Sequence, residues 1–107
     1  MIARTWHGVV PESKAAEYYQ FLLRTGVADY RATPGNRGVY ILQRTAGGKT
    51  HFLLLTLWDS YEAIKKFAGE DFERARYYPE DPEYLLELEP FVTHYQVSYG
   101  PDRPGSE

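Results

Sequence analysis

The sequence contains no cysteine. That excludes a disulfide scaffold, a thiol nucleophile, a zinc finger and an iron–sulfur cluster. Long apolar runs are also missing, and Met1-Ile2 leads straight into a strand-like pattern with no basic segment before it. Neither a signal peptide nor a transmembrane helix is expected, which points to a soluble, cytoplasmic protein with no membrane partner. Positive charge is in short supply. The 12 Lys and Arg are outnumbered by 15 Asp and Glu, for a net charge of −3. A protein that neutralises many phosphates needs a basic face, so no nucleic-acid partner is expected. Lys65-Lys66 is too short a run for a polybasic anchor and reads as a solvated helix face.

What the chain has in excess is aromatic side chains. They make up 16% of its 107 residues, and ten are tyrosines. Disordered chains are poor in such residues. By surface scaling a chain of this length goes from roughly 18,000 Å² unfolded to roughly 6,000 Å² folded, enough for a core. A single domain over residues 1–99 is expected. The tail from Gly100 to Glu107 has nothing to bury and is expected to be flexible.

Ile2 to Val10 reads as a first strand closed by Pro11, with Gly8 marking a bulge or a close backbone approach. From Glu12 the period changes. Ala15, Tyr19, Leu22, Leu23, Val27 and Tyr30 lie on one helix face, with a break at Gly26 and a restart to Arg31. Thr33-Pro34-Gly35-Asn36 forces a turn. Gly38 to Arg44 and Thr50 to Trp58 form a hairpin around a five-residue loop, Thr45 to Lys49. Ser60 caps a second helix carrying Ala63, Ile64 and Phe67, which stops at Gly69. Phe72, Ala75 and Tyr78 suggest another short helix ended by Pro79, and Glu83 to Leu88 a further helical turn. Phe91 to Tyr99 is the last strand. The order β-α-β-β-α-β is the ferredoxin-like α+β plan, with helices on one face of an antiparallel sheet.

The third strand is apolar on both faces: Phe52, Leu54, Thr56 and Trp58 on one, His51, Leu53, Leu55 and Leu57 on the other. A half-exposed antiparallel strand alternates apolar with polar residues. The helices cover one face only, so a second copy, sheet against sheet, is the expected cover and a homodimer the expected assembly. The alternative is a central strand that tolerates a few exposed leucines.

With that order in place, the sequence resembles the antibiotic biosynthesis monooxygenase family of dimeric α+β barrels. The resemblance rests on the opening IARTWHG at 2–8, LLTLWDSYEAIKKFAGEDFERA at 54–75 and the closing THYQVSY, with Trp-Asp-Ser-x-Glu-Ala at 58–63 as its best marker. It implies a ferredoxin-like domain that pairs into a dimeric α+β barrel. It also implies one of three roles: a cofactor-independent monooxygenase using dioxygen on a small aromatic or quinone-like molecule, a haem-binding protein, or a small-molecule-binding dimer without turnover. The haem-degrading branch uses an asparagine on the first strand, a tryptophan in the second helix and a histidine just beyond it. His7, Phe67 and Tyr77 stand at those places here, and none matches.

The cofactor-free reading needs a dry pocket, a proton acceptor and donors for a developing oxyanion. By family placement His7 enters the pocket between helices and sheet as the base, and the adjacent Trp6 points to the opposite face, toward the subunit contact. Tyr77 and Tyr78 would donate to the oxyanion or shape the pocket mouth; the plainer reading is a loop packed by its aromatics. His94, Trp58 and Phe67 are the candidate substrate contacts, although Trp58 also suits a structural anchor and Phe67 core packing. His51 is expected to face solvent, and Asp81 to orient a histidine or close a turn. With no His-x-His or His-x-x-x-His spacing among the three histidines, no metal site is expected.

Overall fold

The computed structural model describes residues 1–100, so the tail expected to be flexible falls outside the described residues from 101 onward. Its strands are β1 (Ile2–Pro11), β2 (Asn36–Ala46), β3 (Lys49–Trp58) and β4 (Thr93–Gln96). They form one sheet in the order β2-β3-β1-β4, every neighbour antiparallel. The first crossover carries a short 3-10 turn (Glu12–Lys14) and two helices, α1 (Ala15–Arg24) and α2 (Gly26–Ala32). The second carries α3 (Tyr61–Ala68). This is the expected ferredoxin-like α+β arrangement. No helix among the described residues is long and apolar enough to cross a membrane.

Local chemistry sets the boundaries. The Ser60 hydroxyl accepts the Ala63 N–H at 3.2 Å and starts α3, and Gly69, at φ 88°, ends it. The hairpin loop is tighter than expected. Gly47 and Gly48 both take positive φ, at 60° and 79°, so a two-residue turn closes it and the strands run on to Ala46 and Lys49.

Between α3 and β4 the chain departs from expectation. No helix forms over Phe72 to Tyr78 or Glu83 to Leu88; a 3-10 turn (Asp81–Glu83) is the one short helical element there. Arg74 instead bridges Phe91, the Ala75 N–H donates to the Pro90 carbonyl, and the Val92 N–H to that of Glu73. Pro79, which cannot donate, stops any helix from continuing. Asp81 organises the residues around this turn. One carboxylate oxygen accepts the Tyr78 N–H at 2.7 Å and the other the Tyr18 hydroxyl at 2.9 Å, while its own carbonyl receives the N–H groups of Tyr84 and Leu85. Asp81 therefore closes a turn and orients no histidine. β4 is also shorter than expected, although the Val97 N–H still reaches the Met1 carbonyl.

The core lies between the helices and one sheet face. Trp6, Val10, Phe52, Leu54 and Trp58 from the sheet meet Tyr18, Phe21, Leu22, Tyr30, Ile64 and Phe67 from the helices. Gly8 belongs to this face for a steric reason. A Cβ there would sit 2.2 Å from the Trp6 ring and 2.9 Å from Leu85, so the indole lies across bare backbone. The other sheet face, with Ala3, Thr5, His7 and Val9 of β1, Leu53, Leu55 and Leu57 of β3 and Tyr40 and Leu42 of β2, is covered by no helix.

This packing makes two substitutions informative for stability. Gly8→Ala forces the Trp6 ring to move and costs about 1–3 kcal/mol as overpacking; urea unfolding monitored by tryptophan fluorescence reads both the loss and the shifted native spectrum. Asp81→Ala leaves the Tyr18 hydroxyl and the Tyr78 N–H without an acceptor. It is expected to lower unfolding free energy by about 3 kcal/mol, and Asp29→Ala, at a half-exposed site, by clearly less in the same assay.

A cleft between helices and sheet

β1 supplies the floor of the candidate site. Its even-numbered side chains face the helices, so Arg4 and Trp6 project into the helix–sheet layer and His7 does not. The ladder fixes this: Trp6 lies opposite Leu54 and His7 opposite Leu53. The placement expected for His7, inside the pocket, and for Trp6, on the far face, is thus reversed. Alternation in a strand admits one parity only, and the bulky indole needs the room over Gly8.

The cleft is lined by Arg4, Trp6 and Leu54 from the sheet, Tyr18 and Tyr30 from the helices, and Arg76, Tyr77, Tyr78 and Asp81 from the irregular segment. It holds about 370 Å³ of empty space counted to its open mouth. It is so narrow, however, that the centre of a water molecule can range over only about 30 Å³. That admits a water or two as it stands. A ring-sized ligand needs a wall to yield, and one wall is the irregular segment between α3 and β4.

Tyr77 and Tyr78 both border the cleft, but their hydroxyl protons are committed. Tyr77 donates to the Glu89 carbonyl at 2.6 Å and accepts from the Trp6 indole N–H at 3.1 Å. Tyr78 donates to the Asp29 carboxylate, on which Arg76 also closes at 3.5 Å. Burial pushes both phenols up, so neither is a phenolate near neutral pH. Tyr30 is raised for the same reason, with the charges of Arg4 and Arg76 pulling against it. Two guanidinium groups, those of Arg4 and Arg76, also line the cleft.

Arg4 is 2% exposed. Its Nη2 makes long bonds to the Phe72 and Arg74 carbonyls, at 3.4 and 3.3 Å, and its Nε has no partner among the described residues. Burial lowers its pKa, without making a guanidinium neutral. Phe67 backs this group: Arg4 lies 5.5 Å from its ring centre and Arg76 4.8 Å. Phe67 therefore stands behind the cleft, next to its cations. Trp58 is deeper still, fully buried, with its indole N–H on the Thr56 hydroxyl at 2.8 Å; it anchors the core.

His94 lies opposite Arg4 in the β1–β4 ladder, but it opens on a neighbouring groove with Tyr61, Phe72 and Glu73. Its Nε2 is buried without a partner, and burial, followed by the Arg4 charge, lowers its pKa. His7 sits on the uncovered face, Nδ1 on Glu89 at 2.7 Å and Nε2 on His51 Nδ1 at 3.0 Å. Desolvation, then the charges of Arg44, His7 and Lys49, pushes His51 down. His7, His94 and Tyr77 do not converge on one cavity. The functional candidates missing from the sequence reading are Arg4, Arg76 and Asp29, and Trp6 lies on the face opposite to the one expected for it. An arginine two residues before a core tryptophan on a strand was the available signal, since the two must share a face.

No protein-family model and no curated protein matches the chain. Solved structures do. The "Putative Antibiotic Biosynthesis Monooxygenase" of Bacillus cereus superposes with a TM-score of 0.64 at 16% identity, over 95% of this chain and 97% of that one. The heme-degrader MhuD (Rv3592) of Mycobacterium tuberculosis, with two hemes bound in its active site, gives 0.62 at 18%, over 94% and 98%. Rv0793 of the same organism gives 0.62 at 17%, over 95% and 100%. The cleft here does not fit a haem as it stands: it is too narrow, and no histidine lines it. The chain has the ferredoxin-like fold of antibiotic biosynthesis monooxygenase-type proteins along nearly its whole length.

Proposed function

We propose that the protein is a cofactor-independent oxygenase of small electron-rich aromatic or quinone-type molecules, working as a homodimer. The observation that supports this most is the cleft itself, where Trp6, Tyr77 and Tyr78 meet two guanidinium groups under the helices. Once a wall yields to admit it, a flat ring would lie against apolar side chains beside two cations that favour its deprotonated form.

Tyr78 and Asp29 form the proton path. As the substrate loses its proton to the Tyr78 oxygen, the phenolic proton passes to Asp29, which is 42% exposed and can hand it to solvent. The deprotonated ring then gives an electron to dioxygen, recombination places a peroxide anion on a carbon that still carries a hydrogen, and a proton returned from solvent makes it a hydroperoxide. Loss of water leaves a carbonyl: carbon is oxidised, dioxygen reduced, and one oxygen atom departs as water. The guanidinium groups stabilise the anion. Tyr77 positions Trp6 through the indole N–H.

The dimer reading rests on the uncovered face. Tyr40, Leu42 and Tyr95 are each about half exposed beside the leucines of β3, an apolar grouping of the kind that marks an interaction surface. A second copy, sheet against sheet, covers it.

Oxygen uptake with anthrone- and hydroquinone-type substrates tests the activity. Wild-type uptake is expected to fall about 100-fold or more in Tyr78→Phe and in Asp29→Asn. Unchanged uptake in both removes the proton path, and no uptake with any substrate, together with a Soret band on adding hemin, turns the reading to haem. Light scattering at micromolar concentration is expected to give about twice the 12.4 kDa chain mass, and Leu42→Asp a monomer. A monomeric wild type overturns the dimer.

A further inference from the structure

Arg4 is the anomaly of the cleft. A buried cation ordinarily carries a carboxylate partner, because removing it from water costs several kcal/mol. Arg4 is 2% exposed and forms no ion pair among the described residues. Two long bonds to main-chain carbonyls, the Phe67 ring and the nearby Tyr30 hydroxyl are its compensation, and its Nε–H has no hydrogen-bond acceptor among the described residues. A second guanidinium, Arg76, stands on the same ring and lines the same cleft, and its carboxylate, Asp29, is shared with Tyr78. The other acid lining the cleft, Asp81, is occupied by Tyr18 and the Tyr78 N–H. The cleft therefore presents two cations, of which Arg76 shares the Asp29 carboxylate and Arg4 has no carboxylate partner among the described residues.

We propose that Arg4 and Arg76 form an anion receptor, and that the ligand of this cleft is an aromatic molecule carrying a carboxylate. A carboxylate oxygen bound by Arg4 Nε supplies the missing acceptor, and the planar guanidinium suits carboxylate geometry. The aromatic body then lies toward Trp6 and Tyr77, which form the apolar side of the cleft. This rests on the cleft used for the oxygenase reading but does not require turnover.

The test compares 2-naphthoate with its neutral isostere 2-naphthamide by calorimetric titration and by quenching of tryptophan fluorescence. Naphthoate is expected to bind wild type about 100-fold more tightly, the difference a desolvated charge pair makes. Arg4→Met is expected to abolish that preference, and Arg76→Gln to reduce it. Thermal unfolding separates binding from a structural role. As a receptor residue, Arg4 can be replaced by methionine with an equal or higher Tm and with loss of the naphthoate-induced rise. Equal binding of the two compounds, binding of neither, or a preference that survives in Arg4→Met overturns the proposal. A lower Tm in Arg4→Met, with the naphthoate effect intact, also overturns it and makes Arg4 structural. Preference for naphthoate without oxygen uptake would keep the receptor and sink the oxygenase reading. Uptake without that preference would do the reverse.

Discussion

One buried carboxylate holds the longest stretch of the molecule that has no regular structure. Between α3 and β4 the chain runs for more than twenty residues with a single 3-10 turn, and Asp81 ties it down by accepting from α1, through Tyr18, and from its own segment, through the Tyr78 N–H. Burial pushes this carboxyl up, while those two hydrogen bonds pull it back. The segment it fixes carries Arg76, Tyr77 and Tyr78, so the geometry of the cleft depends on a polar contact at the centre of an otherwise aromatic core. Tyr18, Phe21 and Tyr84 pack ring on ring around it at 5.2 to 5.8 Å.

The cleft in turn shows why a domain of this size tolerates a buried arginine. Its guanidinium is flanked by an aromatic face and two carbonyls, enough to keep the fold but a weak replacement for water. Sites that bind charge are commonly built at the expense of stability, and a layer this thin has little core to spare.

Much of the architecture is legible in the sequence because it depends on short-range chemistry. The Ser60 cap, the break near Gly26, the glycine hairpin and the two-faced third strand all express local rules, and the ferredoxin-like order emerges from their succession. Two things are not legible. The stretch from Phe72 to Leu88 has helix-like spacing, yet its backbone bonds run to Pro90 and Val92 and its turn is set by Asp81, which Tyr18 reaches from α1. The parity of β1 is the other. Arg4, Trp6, Gly8 and Val10 alternate with Ala3, Thr5, His7 and Val9, and hydropathy barely separates the sets. The deciding fact is steric: an indole folded over a residue with no side chain. Tyr77 and Tyr78 do border the cleft, but only coordinates reveal that their protons are already spent on Glu89 and Asp29.

Glu89 belongs to both sides of the sheet. Its carboxylate holds His7 on the uncovered face, while its carbonyl holds the Tyr77 hydroxyl, and through it the Trp6 indole, in the cleft. Two surfaces separated by the thickness of a sheet are thus hinged at one residue. The same residue therefore contributes a carboxylate to one surface and a carbonyl to the other, so replacing its side chain alters the His7 contact and leaves the main-chain acceptor of Tyr77 in place.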